Sequence, residues 1–202
     1  MKHSLLLVAV VALVAFAAPA HSQYMYLDVD GDGVNTAADI LTPSSTQIDV
    51  YLDTDNNKDG TPAVCSSSSN LFTINSYEVI MRVTGTLTYG SWTDLMSFAT
   101  ILGNAQAGND FYAGRGSGTV LAPGTYHLGN VAISGVGAGA TVTIVSSTTA
   151  NPVALTSFGS QCEGLDFDNT QKLGSDWNDV SGTFSSTPTT STTWGHIKAL
   201  YK

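Results

Sequence analysis

The chain has 202 residues and sets 16 acidic side chains against 7 basic ones, for a net charge of −9. That balance excludes nucleic acid as a partner, because binding a phosphate backbone needs a basic face. Fourteen of the acids are Asp and only Glu78 and Glu163 are Glu, a skew toward turns and hard-cation loops and away from long helices.

In chain order, Met1-Lys2-His3 is a short basic start, and Leu5 to Ala18 is an unbroken run of small and apolar residues. Ala20 and Ser22 supply the small side chains that a signal peptidase accepts. Residues 1–22 therefore read as a signal peptide with Gln23 as the first mature residue, and Ala18-Pro19-Ala20 offers a second cut. The apolar run is too short for a membrane span, so the mature chain is expected to carry no transmembrane segment. About 180 residues remain, enough for one domain with a real core, placed at 23–182.

Tyr24 to Leu27 opens that domain as a strand. The next twelve residues, Asp28 to Asp39, carry the strongest motif in the chain. A twelve-residue calcium loop projects carboxylates from its first, third and fifth positions, here Asp28, Asp30 and Asp32. Gly33 falls where the backbone turns sharply. Val34 would offer its carbonyl oxygen, Thr36 would act through water, and Asp39 would complete the shell. Four carboxylates this close repel one another unless a cation neutralises them. Magnesium fits less well, since it demands a tighter octahedral shell. Thr36 to Leu41 is expected to make a single turn.

Ile48, Val50 and Leu52 alternate with Gln47, Asp49, Tyr51 and Asp53, the period-two pattern of a half-buried strand. A second acidic cluster follows, with Asp55, Asn57 and Asp59 at alternating positions before Gly60 and with Asp53 as a further carboxylate. Its twelfth position would be Ser66, a poor ligand, so it reads either as a partial calcium loop or as an acidic hairpin turn.

Further along, Tyr77, Val79, Met81 and Val83 mark another strand, on whose other face Glu78 is expected to pair with Arg82. Asp94 to Leu102 has helical spacing, with Gly103 as its C-terminal cap. Gly114 to Gly118 and Gly135 to Gly139 read as glycine-rich loops. Tyr126 to Ile133 and Thr141 to Ile144 read as strands, the former with a bulge at Gly129-Asn130. Asp166, Asp168, Asp176 and Asp179 follow no loop spacing and read as surface turns. Residues 183–193 are a Ser/Thr/Pro-rich linker, and 194–202 form a short aromatic and basic tail. The two cysteines, Cys65 and Cys162, are expected to form one disulfide in an exported chain.

These signals predict an all-β fold, an antiparallel β-sandwich of seven to ten strands with inserted calcium loops and at most one or two short helices. A closed barrel is the competing architecture. The loop Asp28 to Asp39 resembles the calcium loop of dockerin modules and, more loosely, thrombospondin-type calcium repeats. It departs from dockerins in the placement of Val34-Asn35 and in lacking a second full copy. The segments Thr46 to Leu52, Ile74 to Ile80, Leu87 to Trp92 and Leu121 to Ile144 resemble cohesin-type β-sandwiches, relatives of bacterial carbohydrate-binding modules. The resemblance implies a jelly-roll or cohesin-like fold with a binding or structural role.

No hydrolase, metalloprotease or phosphate-loop motif occurs. His127 and His196 read as surface histidines. Trp92, Tyr112 and Trp177 would stack on sugar rings if exposed, although Trp is often a core residue. The expected function is a secreted or cell-surface, non-catalytic, calcium-stabilised sandwich for adhesion or matrix and filament assembly, with a protein partner or self-assembly. The alternative is a carbohydrate-binding module of an extracellular polysaccharide-degrading system.

Overall fold

The computed structural model describes residues 23–63, 72–148, 154–160, 162, 170–172, 177–178 and 180–181. The signal peptide, Cys65, Glu163, the Asp166 to Asp179 group, the linker and the tail lie outside the described residues.

Alternation of apolar and polar side chains builds the first sheet. Strand β1 (Gln23–Asp28) pairs antiparallel with β2 (Gln47–Asn57), and β2 pairs with β7 (Thr125–Ser134), which pairs with β4 (Thr88–Asp94). On the far side of β1 lies the short β11 (Trp177–Asn178), the one parallel pairing among the described strands. The order is β11-β1-β2-β7-β4.

The second sheet runs β10-β9-β3-β6-β5, with β8 and β12 attached beside it. Its long members are β3 (Ile74–Thr84), β5 (Thr100–Ala107) and β6 (Asp110–Leu121). One edge of β3 serves two strands in tandem. Ser76 to Glu78 pair with β9 (Ser157–Gly159), and Met81 to Thr84 pair with β8 (Thr141–Ile144). Beyond them lie β10 (Thr170–Lys172) and β12 (Val180–Ser181).

The sheets face each other across one apolar core. Met25, Leu27, Ile48, Val50 and Leu52 meet Tyr77, Val79, Met81, Phe111 and Val142, all buried. Aromatic contacts span the gap: Tyr89 lies 5.4 Å from Phe111 and Trp92 lies 6.4 Å from Tyr77, ring centre to ring centre. The Tyr77 hydroxyl also donates across the gap to the Leu128 carbonyl at 3.2 Å. Each fully buried Leu, Ile or Val contributes about 1.5–3 kcal/mol. The fold is thus an antiparallel β-sandwich rather than a closed barrel.

Several local expectations are corrected. Among the described residues no helix forms. Asp94 ends β4 and Thr100 to Leu102 begin β5, because a run of so few residues between two strand edges gains more from ladder pairing than from one helical turn. Gly103 is not a helix cap but sits mid-strand, opposite Gly114. Gly114 to Gly118 are not a loop; they continue β6. The bulge in β7 falls at Leu128, one residue before the expected pair, since Val50 pairs with Gly129 and Tyr51 with His127. Gly129 is required there by close approach, because a Cβ would lie 2.4 Å from the Trp92 ring. Finally, Arg82 pairs with Asp110, at 2.6 and 2.8 Å through two nitrogens, and not with Glu78. Asp110 is its direct cross-strand partner.

Candidate metal centre

The first loop leaves β1 at Asp28, whose side chain is fully buried. Asp28 accepts the backbone N–H of Gly31 on one oxygen and of Gly33 on the other, both at 2.8 Å. Asp30 accepts from Asp32 N–H at 3.2 Å, and Asp32 from Val34 N–H at 2.9 Å. Each aspartate thus folds the backbone that follows it, the Asx-turn habit of this side chain. Gly31 and Gly33 adopt φ of 80° and 83°, the left-handed region in which glycine is at home. Asp39 closes the loop by accepting from Val29 N–H at 2.8 Å and Thr36 N–H at 2.6 Å. The Thr36 carbonyl accepts the Asp39 N–H at 3.2 Å, the expected single turn.

This winding gathers three carboxylates. Asp28, Asp30 and Asp32 each present an oxygen, and these oxygens all lie within 4.8 Å of one another. Oxygens bound to calcium at 2.3–2.6 Å are never more than about 5 Å apart, so the spacing suits a calcium shell. The donors are hard oxygens with no sulfur or imidazole among them, which again suits calcium. Asp39 stands beside this trio. Burial raises its carboxyl above the usual carboxylate range, two backbone N–H groups oppose the rise, and the charges of Asp28 and Asp30 add to it. Val34 has an exposed side chain, and the Thr36 hydroxyl accepts from Ala38 N–H at 3.0 Å.

The second acidic cluster is arranged differently. Strand β2 continues through Asp53, Asp55 and Asn57, so these residues sit in a ladder rather than a loop. Asp53 accepts from the Asp55 and Asn56 N–H groups at 2.8 and 2.9 Å and from the Thr125 hydroxyl at 3.2 Å. Asp59 accepts from Thr61 N–H and hydroxyl at 3.0 and 2.6 Å. Among the described residues, Asp53, Asp55 and Asp59 do not converge as the first trio does. They cap turns.

The first loop rests on a support that no local sequence pattern announces. The outer face of the first sheet carries a row of stacked rings, with centroid separations of 5.3 Å for Tyr24–Tyr26, 5.1 Å for Tyr26–Tyr51 and 4.4 Å for Tyr51–His127. Register creates it, since Tyr26 faces Tyr51 and Tyr51 faces His127. The Tyr26 hydroxyl donates to the Gly33 carbonyl at 2.8 Å. Tyr51 lies beneath Gly33, and its hydroxyl is held protonated by desolvation and then by Asp28, Asp49 and Asp32. His127 is not a bare surface histidine, for its Nε2 lies 2.9 Å from an Asp49 oxygen. The period-two pattern of β1 and β2 held the signal for this row, but only the register reveals it.

The proposed sugar-stacking residues are placed otherwise. Trp92 and Tyr112 are 7% and 6% exposed, which corrects their reading as open platforms. Trp92 packs in the core, and Tyr112 lies over Gly103 with its hydroxyl on Glu78. The Trp177 side chain is outside the described residues. Cys162 is buried against the core. No helix among the described residues is long and apolar enough to cross a membrane.

No family profile matches the sequence, and no curated protein matches it. Among solved structures, the chain is similar to a type III cohesin module from the cellulosomal ScaE cell-surface anchoring scaffoldin of Ruminococcus flavefaciens. The two share 13% identity over 84% of this chain and 91% of that one, with a TM-score of 0.49.

Proposed function

We propose that this chain is an exported, non-catalytic β-sandwich that holds calcium in its first loop and serves in adhesion or extracellular matrix assembly. The observation that carries this reading is the convergence of the Asp28, Asp30 and Asp32 oxygens within 4.8 Å. Those three side chains would hold the ion, with Val34 contributing its carbonyl, Thr36 acting through water and Asp39 completing the set. Bound calcium supplies the positive charge that offsets carboxylate repulsion. The chain itself does the rest. Asp28 belongs both to the loop and to β1, where it faces Asp49 of β2, so an ordered loop braces that pair of strands.

Removal of residues 1–22 and a Cys65–Cys162 disulfide belong to the same reading, as an oxidising compartment favours the bridge. Self-assembly or a protein partner is favoured by the edge strand β5. Its residues Thr100 to Ala107 include no charge and no proline, the devices that usually guard an edge. Ile101 and Leu102 are 68% and 47% exposed there. Sedimentation in calcium tests the assembly claim. The wild type should associate, and Ile101→Lys should make it monomeric; a monomeric wild type at high concentration would contradict it. With Trp92 and Tyr112 buried, the polysaccharide reading has no exposed Trp among the described side chains, and a glycan array should be blank.

A further inference from the structure

Two register-partner residues at the start of the first sheet each keep a buried amide atom without a hydrogen-bond partner. Gln23 opens β1, is 3% exposed, and its Nε2 has no hydrogen-bond partner. Its register partner is Asn57, whose Oδ1 is also buried and without a partner. Most buried polar atoms are satisfied, so an orphaned donor on Gln23 and an orphaned acceptor on its register partner ask for an explanation. A primary carboxamide is a costly resident of this position.

Cleavage after Ser22 would make Gln23 the N-terminal residue and give it a free α-amine. We propose that Gln23 then closes on itself to pyroglutamate. This inference rests on the export reading above. In the step, the α-amine nitrogen attacks the side-chain carbonyl carbon Cδ. The N–Cδ bond forms, the Cδ–Nε2 bond breaks, and Nε2 leaves as ammonia with a proton from the amine. Carbon oxidation states do not change, and no co-reactant is needed. The nitrogen expelled is the one that the fold leaves unpartnered. The lactam keeps one N–H for the ladder with Asn57, and it removes a charged ammonium from the first position of a buried strand.

Mass spectrometry of the protein taken directly from culture fluid tests this. The expected N-terminal peptide begins at residue 23, is lighter by one ammonia, and yields to a pyroglutamyl peptidase. A peptide beginning at Gln23 with a free amine would overturn the cyclisation while leaving the export cut intact. A peptide beginning at His21, or at Met1, would overturn the cut and the cyclisation together. A second measurement compares melting of the cyclised protein with freshly cleaved, uncyclised protein. The cyclised form should melt higher, and an equal or lower melting temperature would contradict the structural argument.

Discussion

The Tyr26 hydroxyl donates a 2.8 Å hydrogen bond to the Gly33 carbonyl, and so fastens the turn of the aspartate loop to the stacked rings of the first sheet. Removing that hydroxyl should loosen the loop without disturbing the core. Tyr26→Phe is expected to lose about 1 kcal/mol, a fall in melting temperature of about 2–4 °C for a domain of this size. Calcium affinity should weaken by no more than about fivefold. Terbium luminescence excited through tyrosine follows both, since Tyr26 and Tyr51 lie against the loop.

Tyr112 and Gly103 form a second dependent pair. A Cβ at position 103 would lie 1.8 Å from the Tyr112 ring, so Gly103→Ala must displace the ring and its bond to Glu78. Overpacking of this kind costs about 1–3 kcal/mol. In a Tyr112→Ala background the same substitution should cost much less. Urea denaturation of the four proteins in this cycle measures the coupling.

The Arg82–Asp110 pair sets a limit at acid pH. Hydrogen bonding from Arg82 lowers the Asp110 carboxyl, burial opposes this, and the Thr148 hydroxyl adds to the lowering. A carboxyl depressed in the folded state contributes stability above its unfolded value and loses it as pH falls through the folded one. The loss should therefore appear below about pH 3.9, the ordinary Asp value. Arg82 is 43% exposed, so Arg82→Ala should cost only about 1 kcal/mol at neutral pH. Denaturation midpoints between neutral and strongly acid pH should converge for wild type and mutant.

Asp39 has the opposite sign. Its carboxyl is raised by burial, against the backbone bonds from Thr36 and Val29 and with help from Asp28 and Asp30. A raised carboxyl stabilises the fold below its unfolded value, and this stability is lost as pH rises through the folded value. Ion-free protein should accordingly gain stability on mild acidification, just above about pH 3.9. Chelator-treated samples followed by urea midpoint should show that gain, and Asp39→Ala should lack it.

Much of this was legible in the chain. The alternation at Ile48, Val50 and Leu52 placed the first half of β2 because these three side chains all enter the apolar core. The Asp28 to Asp39 spacing placed the trio because Asx turns are local and need no tertiary partner. Residues 94–102 misled because their helical period is only two turns long, and pairing across the sheet overrides so short a signal. Asp53 and Asp59 accept backbone N–H groups at a strand end, and the same residue types serve turns and hard-cation loops alike, so the pattern by itself does not separate the two. Arg82 finding Asp110 rather than Glu78, and the tyrosine row, depend on register between strands far apart in sequence. Local patterning carries no register.

If calcium in the first loop stabilises the sandwich, calorimetry with and without chelator will register it as a shift in melting temperature. At calcium a hundredfold above its dissociation constant, binding adds about 2.7 kcal/mol, which corresponds to a rise of roughly 5–10 °C in melting temperature. The wild type should show that rise and lose it on chelation, and the Asp30→Ala, Asp32→Ala double variant should lack it. A wild-type melting temperature that stays the same with and without chelator would contradict stabilisation by calcium.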